Sequence, residues 1–585
     1  MKKTASTTFI VKNFFHEFSK NHWFIAALLA AITAHTLYSF DTYVVSRMID
    51  NLRLFLAGTG SKEDIYYYFT LLIGVGFGTW LFYRLSDAAM IRAQVQISKK
   101  IYAHIFTYIH HHSHQYFSDN FAGALFKRMN RYVRTFEELS DAINYRILPL
   151  LIHLIITVLF ISFFSPIVGL IVICYVILFS TMSFFFVRWQ HPLIDKHDRL
   201  DSELSGYVTD TIANHGTILS FGKFKSELAL FQKKCNTSYD ALKDAWKRGN
   251  VTSGFLGIVA FASYWVVTAF ALHLAINGEI VFATFLIINT YNGVLTDKIW
   301  DISNIFKTVG KIIADAREGM EILTSEHGIT DKEHAKKLIA EKGEIEFKNI
   351  SFWYGKQKIF TELNLTIQPY EKVGIVGVSG SGKSTLTKLL MRLYDVQKWT
   401  ICIDGQSLKD VTLESLHQSI ALVPQDPVLF HRTLEENIRY AQPHISETNF
   451  KKYCAIARCD TFIEKLPEKY ETLVGERGIK LSGWERQRVA IARALIAETP
   501  IIIFDEATSA LDSESEQYIQ EAMFEAIEGK TALVIAHRLS TIVHLERILV
   551  FDGGNIIEDG SHEELMKKWG IYAKLWTIQS GEFRE

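Results

Sequence analysis

The sequence has few cysteines and almost no net charge. Five of the 585 residues are cysteine, and 62 lysine and arginine residues nearly balance 63 aspartate and glutamate residues, so the formal net charge is −1. The balanced charge gives no indication of a nucleic-acid partner. The cysteines are odd in number and lack metal-ligand spacing, which indicates reduced packing residues in a cytosolic or membrane setting; they are Cys174, Cys235, Cys402, Cys454 and Cys459.

Apolar residues are unevenly distributed along the chain. A chain of 585 residues is too long for one globular core, so at least two domains are expected. A cleaved signal peptide would have a shorter apolar core than the first apolar run of this chain. Six runs precede about residue 325, several of them near the length of about 20 residues that spans a membrane, at Trp23–Val45, Tyr66–Tyr83, Ile147–Phe164, Ile167–Val187, Val251–Ala275 and Ile280–Leu295.

The connections between these runs differ in their content of lysine and arginine. The long connections after the second and fourth runs are rich in both, whereas 51–63, 165–166 and 277–279 contain few or none. Because cytoplasmic loops carry the positive excess, the long connections, both termini and the soluble half are predicted to be cytoplasmic. We interpret the long connections as helices that leave the membrane and break at tips near 117–123 and 209–222. Short helices at these tips could touch the soluble domain, and solvated loops are the alternative.

Ionisable residues within the apolar runs are candidates for a transport pathway, because they are costly in a membrane. They are Asp41, His153, Asp297 and Lys298. The simpler interpretation is that they cap or pair helices near an interface. The histidine run at 110–112 suggests a metal site, but adjacent residues on a helix point in different directions and cannot share one ion. Metal binding there is therefore not expected.

The soluble half contains a loop that fits the phosphate-binding pattern G-x-x-x-x-G-K-[ST], namely Gly377-Val378-Ser379-Gly380-Ser381-Gly382-Lys383-Ser384-Thr385. A strand-like apolar stretch precedes it and a helical pattern follows it, which is the order that the motif requires. The glycines let backbone N–H groups close around phosphate oxygens, and the helix N-terminus adds its positive dipole. Lys383 would reach the terminal phosphates, and the Ser384 hydroxyl would hold Mg²⁺.

Two further apolar strands end in residues that suit phosphate hydrolysis. One ends in Asp505 and Glu506, and the other ends in His537. Continuous apolar strands of this kind are typical of a buried parallel sheet. Asp505 would coordinate Mg²⁺ through water, Glu506 would polarise the attacking water, and His537 could reach a γ-phosphate. Tyr354, which closes a strand-like region ahead of the loop, could stack on an adenine ring.

Together with the stretch 481–488, these features resemble the ATP-binding cassette family, and they occur in that family's order. The resemblance covers the whole chain. Six helices ahead of one cassette are similar to the half-size exporters that include lipid flippases, multidrug exporters and mitochondrial Atm-like transporters. The remaining matches are Gln425 in the Q-loop, Ser482, Gly483 and Glu485 in the signature, 509–512 in the D-loop with Asp512, and Gly475–Gly478 ahead of the signature.

The resemblance implies the roles of these residues and the need for a second chain. Lys383, Glu506 and His537 would be catalytic, and Ser384, Gln425 and Asp505 would hold Mg²⁺. In this family each ATP lies between the Walker A loop of one cassette and the signature of another. One chain carries one of each, so two chains are implied. The two cytoplasmic tips would be coupling helices, and alternating access would follow.

One residue departs from the family pattern. The signature usually has a second glycine where this sequence has Trp484. If the ring points away from the nucleotide, the backbone donors of the signature survive. If the residue needs a positive φ, strain of about 1–3 kcal/mol would weaken the site. Because Ser482, Gly483, Glu506 and His537 are present, active hydrolysis is predicted.

We therefore expect a multidomain protein with an all-α six-helix transmembrane domain at 1–325, a linker at 326–342 and a P-loop α/β ATP-binding cassette at 343–585. The expected function is ATP-driven export or flipping of a lipophilic or amphiphilic substrate, with ATP and Mg²⁺ as cofactors. The expected partners are a second half-transporter chain, most simply an identical one, and membrane lipids. The expected location is a bacterial inner membrane with the cassette in the cytoplasm. The alternative is an ATP-gated channel or regulatory membrane ATPase with slow hydrolysis.

Overall fold

The computed structural model describes residues 7–120, 122–475, 478, 480–506 and 513–580. These residues form two compact units. The first comprises those up to His110 and from Ala122 to Ser325, and the second comprises 111–120 with those from Glu326 onward. The first unit is helical in its described residues, and the second combines two β-sheets with helices. The predicted fold class is therefore confirmed.

Ten helices are described before the first strand, and four of them have 43 residues or more. A short π-helical segment, Ile143–Ile147, joins the fifth to the sixth. The ten helices are α1 (Thr7–Lys20), α2 (His22–Leu56), α3 (Lys62–His110), α4 (His114–Asp119), α5 (Ala122–Ala142), α6 (Leu148–Phe164), α7 (Pro166–Ala213), α8 (His215–Ser220), α9 (Phe224–Ile276) and α10 (Phe282–Thr324).

Five helical stretches among the described residues are long and apolar enough to cross a membrane: α2, α3, the continuous stretch Ala122–Phe164, α7 and α9. The sixth predicted span falls on the first half of α10, which is more polar. There, Asn289 accepts hydrogen bonds from the hydroxyl groups of Tyr264 and Thr268, at 3.2 and 2.9 Å, and Asn292 donates to the Tyr264 carbonyl at 3.0 Å. Hydrogen bonds to α9 thus satisfy the Asn289 oxygen and the Asn292 amide nitrogen, whereas the buried Asn292 Oδ1 has no partner among the described residues.

The long helices and the short tips agree with the sequence-based interpretation. Helices of 43 to 53 residues exceed the roughly 20 that a membrane requires, so they continue beyond it. The short helices α4 and α8 lie at the two predicted tips, although Phe121 at the first tip is outside the described residues. Helix α4 belongs to the second unit, where the Ser113 N–H donates to the carbonyl oxygen of His327 at 2.9 Å.

The second unit is built on two sheets. A four-stranded antiparallel sheet has the order β2-β1-β4-β5, and a six-stranded sheet has the order β10-β9-β3-β8-β7-β6. Strands β9, β3, β8, β7 and β6 are parallel neighbours, and β10 pairs antiparallel with β9. The strands are β1 (Ile345–Tyr354), β2 (Gln357–Ile367), β3 (Lys372–Gly377), β4 (Lys398–Ile403), β5 (Gln406–Ser407), β6 (Ile420–Val423), β7 (Ile501–Asp505), β8 (Thr531–Ile535), β9 (Arg547–Asp552) and β10 (Asn555–Gly560).

The central strands of the larger sheet are buried almost completely. Residues 501–504 of β7 and 531–535 of β8 are all buried, as the continuous apolar pattern predicts. Parallel strands end at one edge of a sheet, so β3, β7 and β8 deliver their following residues to the same side. The helices around the sheets are α11 (Lys383–Leu390), α12 (Leu413–Ser419), α13 (Leu434–Ile438), α14 (Glu447–Ile456), α15 (Asp460–Ile463), α16 (Gly483–Ile496), α17 (Ser513–Ile527), α18 (His562–Lys568) and α19 (Ile571–Ser580).

The end of the predicted linker is fixed to the smaller sheet by one carboxylate. Asp404, which directly follows β4, accepts hydrogen bonds from the four consecutive backbone N–H groups of 341–344, at 2.8 to 3.1 Å. Four donors on one carboxylate satisfy backbone groups that would otherwise need water, and bonds to charged acceptors are stronger than neutral ones. The linker therefore enters the second unit at a defined place.

Replacing Asp404 by alanine is expected to release this segment and to lower the free energy of unfolding of the second unit by about 1–3 kcal/mol. Hydrogen exchange of the amides in 341–344 should accelerate, and the thermal unfolding midpoint should fall. Asp410→Ala is the matched control, because its exposed side chain forms a surface ion pair with Lys332 at 2.6 Å, and we expect it to have little effect. Unchanged exchange in Asp404→Ala would contradict the prediction.

Candidate active site

The phosphate-binding loop adopts a backbone conformation that requires glycine. Gly377, Gly380 and Gly382 have φ values of 150°, 83° and 106°. A Cβ atom at Gly377 would lie 2.1 Å from the carbonyl oxygen of Phe551, and one at Gly382 would lie 2.8 Å from Cε1 of Phe360. The loop is thus packed against β9 and β2 on the inside. Val378, Ser379 and Gly380 form its exposed rim, where a phosphate could approach the backbone.

Lys383 opens helix α11 and points back into the loop. Its Nζ donates to the carbonyl oxygens of Gly377 and Val378, at 2.8 and 3.1 Å. Burial lowers the pKa of Lys383 below its ordinary value, against the opposite influence of Glu506 and Asp505. The buried hydroxyl of Ser381 has no hydrogen-bond partner among the described residues. Ammonium and hydroxyl together form a cradle suited to phosphate oxygens. Ser384 and Thr385 follow, half-buried, in the first turn of α11.

Asp505 and Glu506 stand where β7 ends, beside β8. Asp505 pairs in register with Ile535, and the Glu506 N–H donates to the Ile535 carbonyl at 2.9 Å. Burial, and next the Glu506 carboxylate, raise the pKa of Asp505 above its ordinary value. Asp505 Oδ1 is buried without a partner in the part of the chain that the structure describes. A buried carboxylate oxygen with a free lone pair fits Mg²⁺, which prefers oxygen ligands.

Glu506 and His537 form a hydrogen-bonded pair. Glu506 Oε1 lies 2.6 Å from Nε2 of His537, and the glutamate side chain is 11% exposed whereas the imidazole is 46% exposed. Glu506 has a φ of 53°, a left-handed conformation that is unfavourable for a side chain other than glycine. Residues held in such conformations cluster at functional sites. The strand ends therefore hold a carboxylate, directed by an imidazole, close to Lys383.

Two other predicted nucleotide contacts lie at the margins of this group. Tyr354 ends β1, and its ring makes edge contacts with Phe352 and Tyr394, at centroid distances of 4.8 and 5.0 Å. Burial raises the pKa of the Tyr354 phenol. Gln425 is exposed just beyond β6, in a segment whose Pro424 carbonyl accepts a hydrogen bond from Gln487 of α16 at 3.3 Å.

The signature forms the N-terminus of helix α16. Ser482 is the N-cap, and a capping box joins it to Glu485: the Ser482 N–H and hydroxyl both donate to Glu485 Oε2 at 2.7 Å. Ser482 and Gly483 are exposed. Glu485 is thus committed to the cap. The D-loop 509–512 with Asp512, and Glu476 and Arg477 of the segment ahead of the signature, lie outside the described residues.

The Trp484 ring points toward the core, which agrees with the first of the two alternatives given for this residue. It lies in α16 with helical backbone, and its half-buried ring packs against the hydrophobic core of the second unit. The ring meets Phe462 edge-on at 6.1 Å, and the guanidinium of Arg488 lies over it at 4.4 Å. No positive φ is involved, so the strain considered above is absent at this residue. Arg488 was not foreseen, although its i, i+4 spacing from Trp484 is the signal for such a pair.

A polar cluster lies inside the membrane unit, around one of the four ionisable residues noted above. His153 Nδ1 lies 2.8 Å from the Ser39 hydroxyl, and the rings of His153 and His35 meet edge-on at 5.3 Å. His35 Nδ1 lies 2.9 Å from the Tyr83 hydroxyl, and Tyr291 donates to the Ser39 carbonyl at 2.7 Å. His35 is not among the residues predicted from the sequence, although it lies one turn before Ser39 on the same face of α2.

Comparisons with known proteins agree along the whole chain. A family model described as ABC transporter matches residues 360–509, and one described as ABC transporter transmembrane region matches residues 24–299. The ATP-dependent lipid A-core flippase of Desulfotalea psychrophila is 32% identical over 576 residues, which cover 97% of this chain and 99% of that protein. The ATM1-type heavy metal exporter of Novosphingobium aromaticivorans is 32% identical, over 88% of this chain and 86% of its own length. A solved structure described as a bacterial Atm1-family ABC exporter with ATP bound matches with a TM-score of 0.86 and 28% identity, over 96% of this chain and 99% of its own.

Proposed function

This chain belongs to the ABC transporter family, with its transmembrane region and its ATP-binding domain fused in one polypeptide, and on that premise we propose that two identical copies form the transporter and move a lipid or another amphiphile. The family relation makes the chain an ATP hydrolase that drives export.

The observation that carries the homodimer is the exposure of Ser482 and Gly483 at the start of α16, in a chain with one phosphate-binding loop. An exposed helix N-terminus offers unsatisfied N–H donors and a positive dipole to an anion. In a homodimer, Ser482 and Gly483 of one copy would complete the ATP site formed by 377–385 of the other. Two equivalent sites follow from the two-fold symmetry of such a pair.

Within each site the residues divide the work. Tyr354 would stack on the adenine, and the loop 377–385 would hold the phosphates with Lys383 on the terminal ones. Glu506 would accept a proton from the attacking water, and His537 would orient the Glu506 carboxylate toward that water. Ser384, Gln425 and Asp505 would hold Mg²⁺, which when bound neutralises phosphate charge. Asp512 would approach the same site from the D-loop.

The substrate class is proposed from the surfaces of the membrane helices and from the relatives. One relative is described as a lipid A-core flippase and another as a heavy metal exporter, so relatives alone leave the class open. Large aromatic side chains are exposed along α7 and α9, among them Phe184, Phe185 and Trp265. Such surfaces suit amphiphiles as well as membrane lipids. The positive-inside pattern supports a cytoplasmic cassette, and the flippase relative supports a bacterial inner membrane.

Reconstitution of the purified chain alone into lipid vesicles tests the proposal. Copies that carry two different tags should copurify, and Mg²⁺ with ATP should move a short-chain fluorescent phospholipid or an amphiphilic dye across the bilayer. A non-hydrolysable ATP analogue is the control. ATP hydrolysis without movement of either probe would contradict the amphiphile, and failure to copurify would contradict the homodimer. ATP-dependent ion conductance with slow hydrolysis would instead favour the gated channel.

A further inference from the structure

The first turn of the signature helix has one side chain that packs inward. Ser482 and Gly483 are exposed, and a Cβ atom built on Gly483 would meet nothing within 4 Å. The Glu485 carboxylate is occupied by the cap, through its two bonds to Ser482. Trp484 alone among 482–485 contributes its side chain to the core of the second unit. Its ring therefore anchors the turn.

The indole is held by a buried guanidinium. Arg488 is 5% exposed, and its carbon Cζ lies 4.4 Å from the centroid of the Trp484 ring. Arg488 Nη1 also donates to the Arg458 carbonyl at 2.9 Å and to the Thr461 hydroxyl at 2.8 Å. Hydrogen bonds to the segment around α15 thus hold the guanidinium in place over the indole. Among aromatic side chains, the indole ring forms the most favourable cation–π contacts, and burial strengthens such a contact.

The same guanidinium reaches the helix that follows the D-loop. Arg488 Cζ lies 5.4 Å from the ring centroid of Tyr518 on α17, and Arg458 pairs with Glu521 on that helix at 3.5 Å. Phe462 of α15 also meets the indole edge-on, at a centroid distance of 6.1 Å. Trp484 is therefore the point where the first turn of α16 is tied to α15 and, through Arg488, to α17.

We propose that Trp484 is a positioning residue for the shared ATP site: clamped by Arg488 and Phe462, it fixes the direction in which Ser482 and Gly483 face the nucleotide held by the second copy. The inference rests on the proposed homodimer. Trp484 itself does not touch the nucleotide, because its ring faces the core. The side chain that replaces the family's glycine is thus a support for the signature and not an obstruction.

Steady-state kinetics of the full chain in bilayer discs that hold two copies tests this inference. Trp484→Ala should raise the KM for ATP about tenfold, the loss expected for one buried cation–π contact. Trp484→Gly, which restores the family residue, should behave in the same way. Trp484→Phe keeps an aromatic face over Arg488 and should remain within about twofold of the wild type. Trp399→Ala is the matched control, because Trp399 is 64% exposed on β4 and far from α16 in sequence.

A second readout separates positioning from folding. ADP binding depends on the loop 377–385 of the same chain, so its affinity should be unchanged in Trp484→Ala. An equal loss of ADP affinity and a large fall in the unfolding midpoint would show a structural role only and would overturn the proposal. If the chain with Trp484→Ala does not fold, Arg488→Lys replaces it as the test. Lysine keeps the charge but loses the planar stack on the indole, so the KM for ATP should rise severalfold.

Two outcomes separate an obstructing Trp484 from a chain that does not work as a homodimer. Equal or faster turnover in Trp484→Gly, with two copies per disc, would mean that the tryptophan obstructs the site, and would overturn its positioning role alone. Turnover by discs that hold a single copy would overturn the shared site, and the inference with it. A raised KM for ATP with unchanged ADP affinity, restored in Trp484→Phe, is the result that supports both.

Discussion

Glu506→Gln is expected to lower the ATP turnover of the chain by about 10²- to 10⁴-fold, the range that a general base contributes. Glutamine has the size of glutamate but cannot accept a proton from the attacking water. The side chain would keep its place, because Glu506 is held by its backbone bond to Ile535 and by His537 at 2.6 Å. ATP binding should therefore persist while hydrolysis stops.

The measurement is release of phosphate by the reconstituted chain with Mg²⁺ and ATP, together with retention of labelled ATP. Glu498→Gln is a matched control, because Glu498 has a similar left-handed backbone, with φ of 50° against 53° for Glu506. Its carboxylate accepts a hydrogen bond from Tyr453 at 2.8 Å, outside the site. Turnover by Glu506→Gln within about threefold of the wild type would show that another group removes the proton.

Lys383→Met is expected to weaken ATP binding by about 100-fold while leaving the chain as stable as before. The loss follows from removal of the only side-chain cation of the loop 377–385. The unchanged stability follows from two opposing changes. Burial lowers the pKa of Lys383, so at neutral pH the folded chain holds the charged ammonium at a cost relative to the unfolded chain. An uncharged side chain of similar length removes that cost but also removes the bonds of the ammonium to the Gly377 and Val378 carbonyls.

Titration with a fluorescent ATP analogue and thermal unfolding without added nucleotide check the two halves of this prediction. Lys372→Met is the control: Lys372 lies on β3 just ahead of the loop and pairs with Glu546 on the surface at 3.1 Å. We expect it to change neither quantity appreciably. An unfolding midpoint that falls sharply in Lys383→Met would mean that the bonds of its ammonium to the Gly377 and Val378 carbonyls outweigh the cost of burial.

The nucleotide-binding loop and its neighbours were predictable because each depends on local pattern. A glycine-rich loop of this pattern between a strand and a helix predicts a phosphate-binding loop. Two apolar strands of one parallel sheet, followed by Asp505-Glu506 and by His537, end at the same edge of that sheet. The structure places Glu506 and His537 in direct contact. Five of the six predicted membrane helices likewise follow from apolar length, whereas α10, on which the sixth falls, is more polar and makes hydrogen bonds to α9.

Contacts through space were not predictable from local pattern. The direction of the Trp484 ring depends on Arg488, which is held by the distant carbonyl of Arg458. Helix α4 belongs to the second unit, and a backbone hydrogen bond joins Ser113 to His327 there, although no sequence pattern links these two distant segments. Asp404 collects four backbone N–H groups some sixty residues before it, and no motif marks that arrangement.

The polar cluster of the membrane unit also constrains the order in which the protein can be made. Ser39 on the first membrane helix receives the hydroxyl of Tyr291, which leaves the ribosome 252 residues later. The Ser39 hydroxyl donates to the His35 carbonyl within its own helix and also lies 2.8 Å from Nδ1 of His153, 114 residues after it. The His35 imidazole finds its partner earlier, in the Tyr83 hydroxyl 48 residues after it, which matters because hydrocarbon offers no hydrogen bonds. The cluster is therefore complete only when α10, the last of its helices, has been inserted and Tyr291 reaches the Ser39 carbonyl.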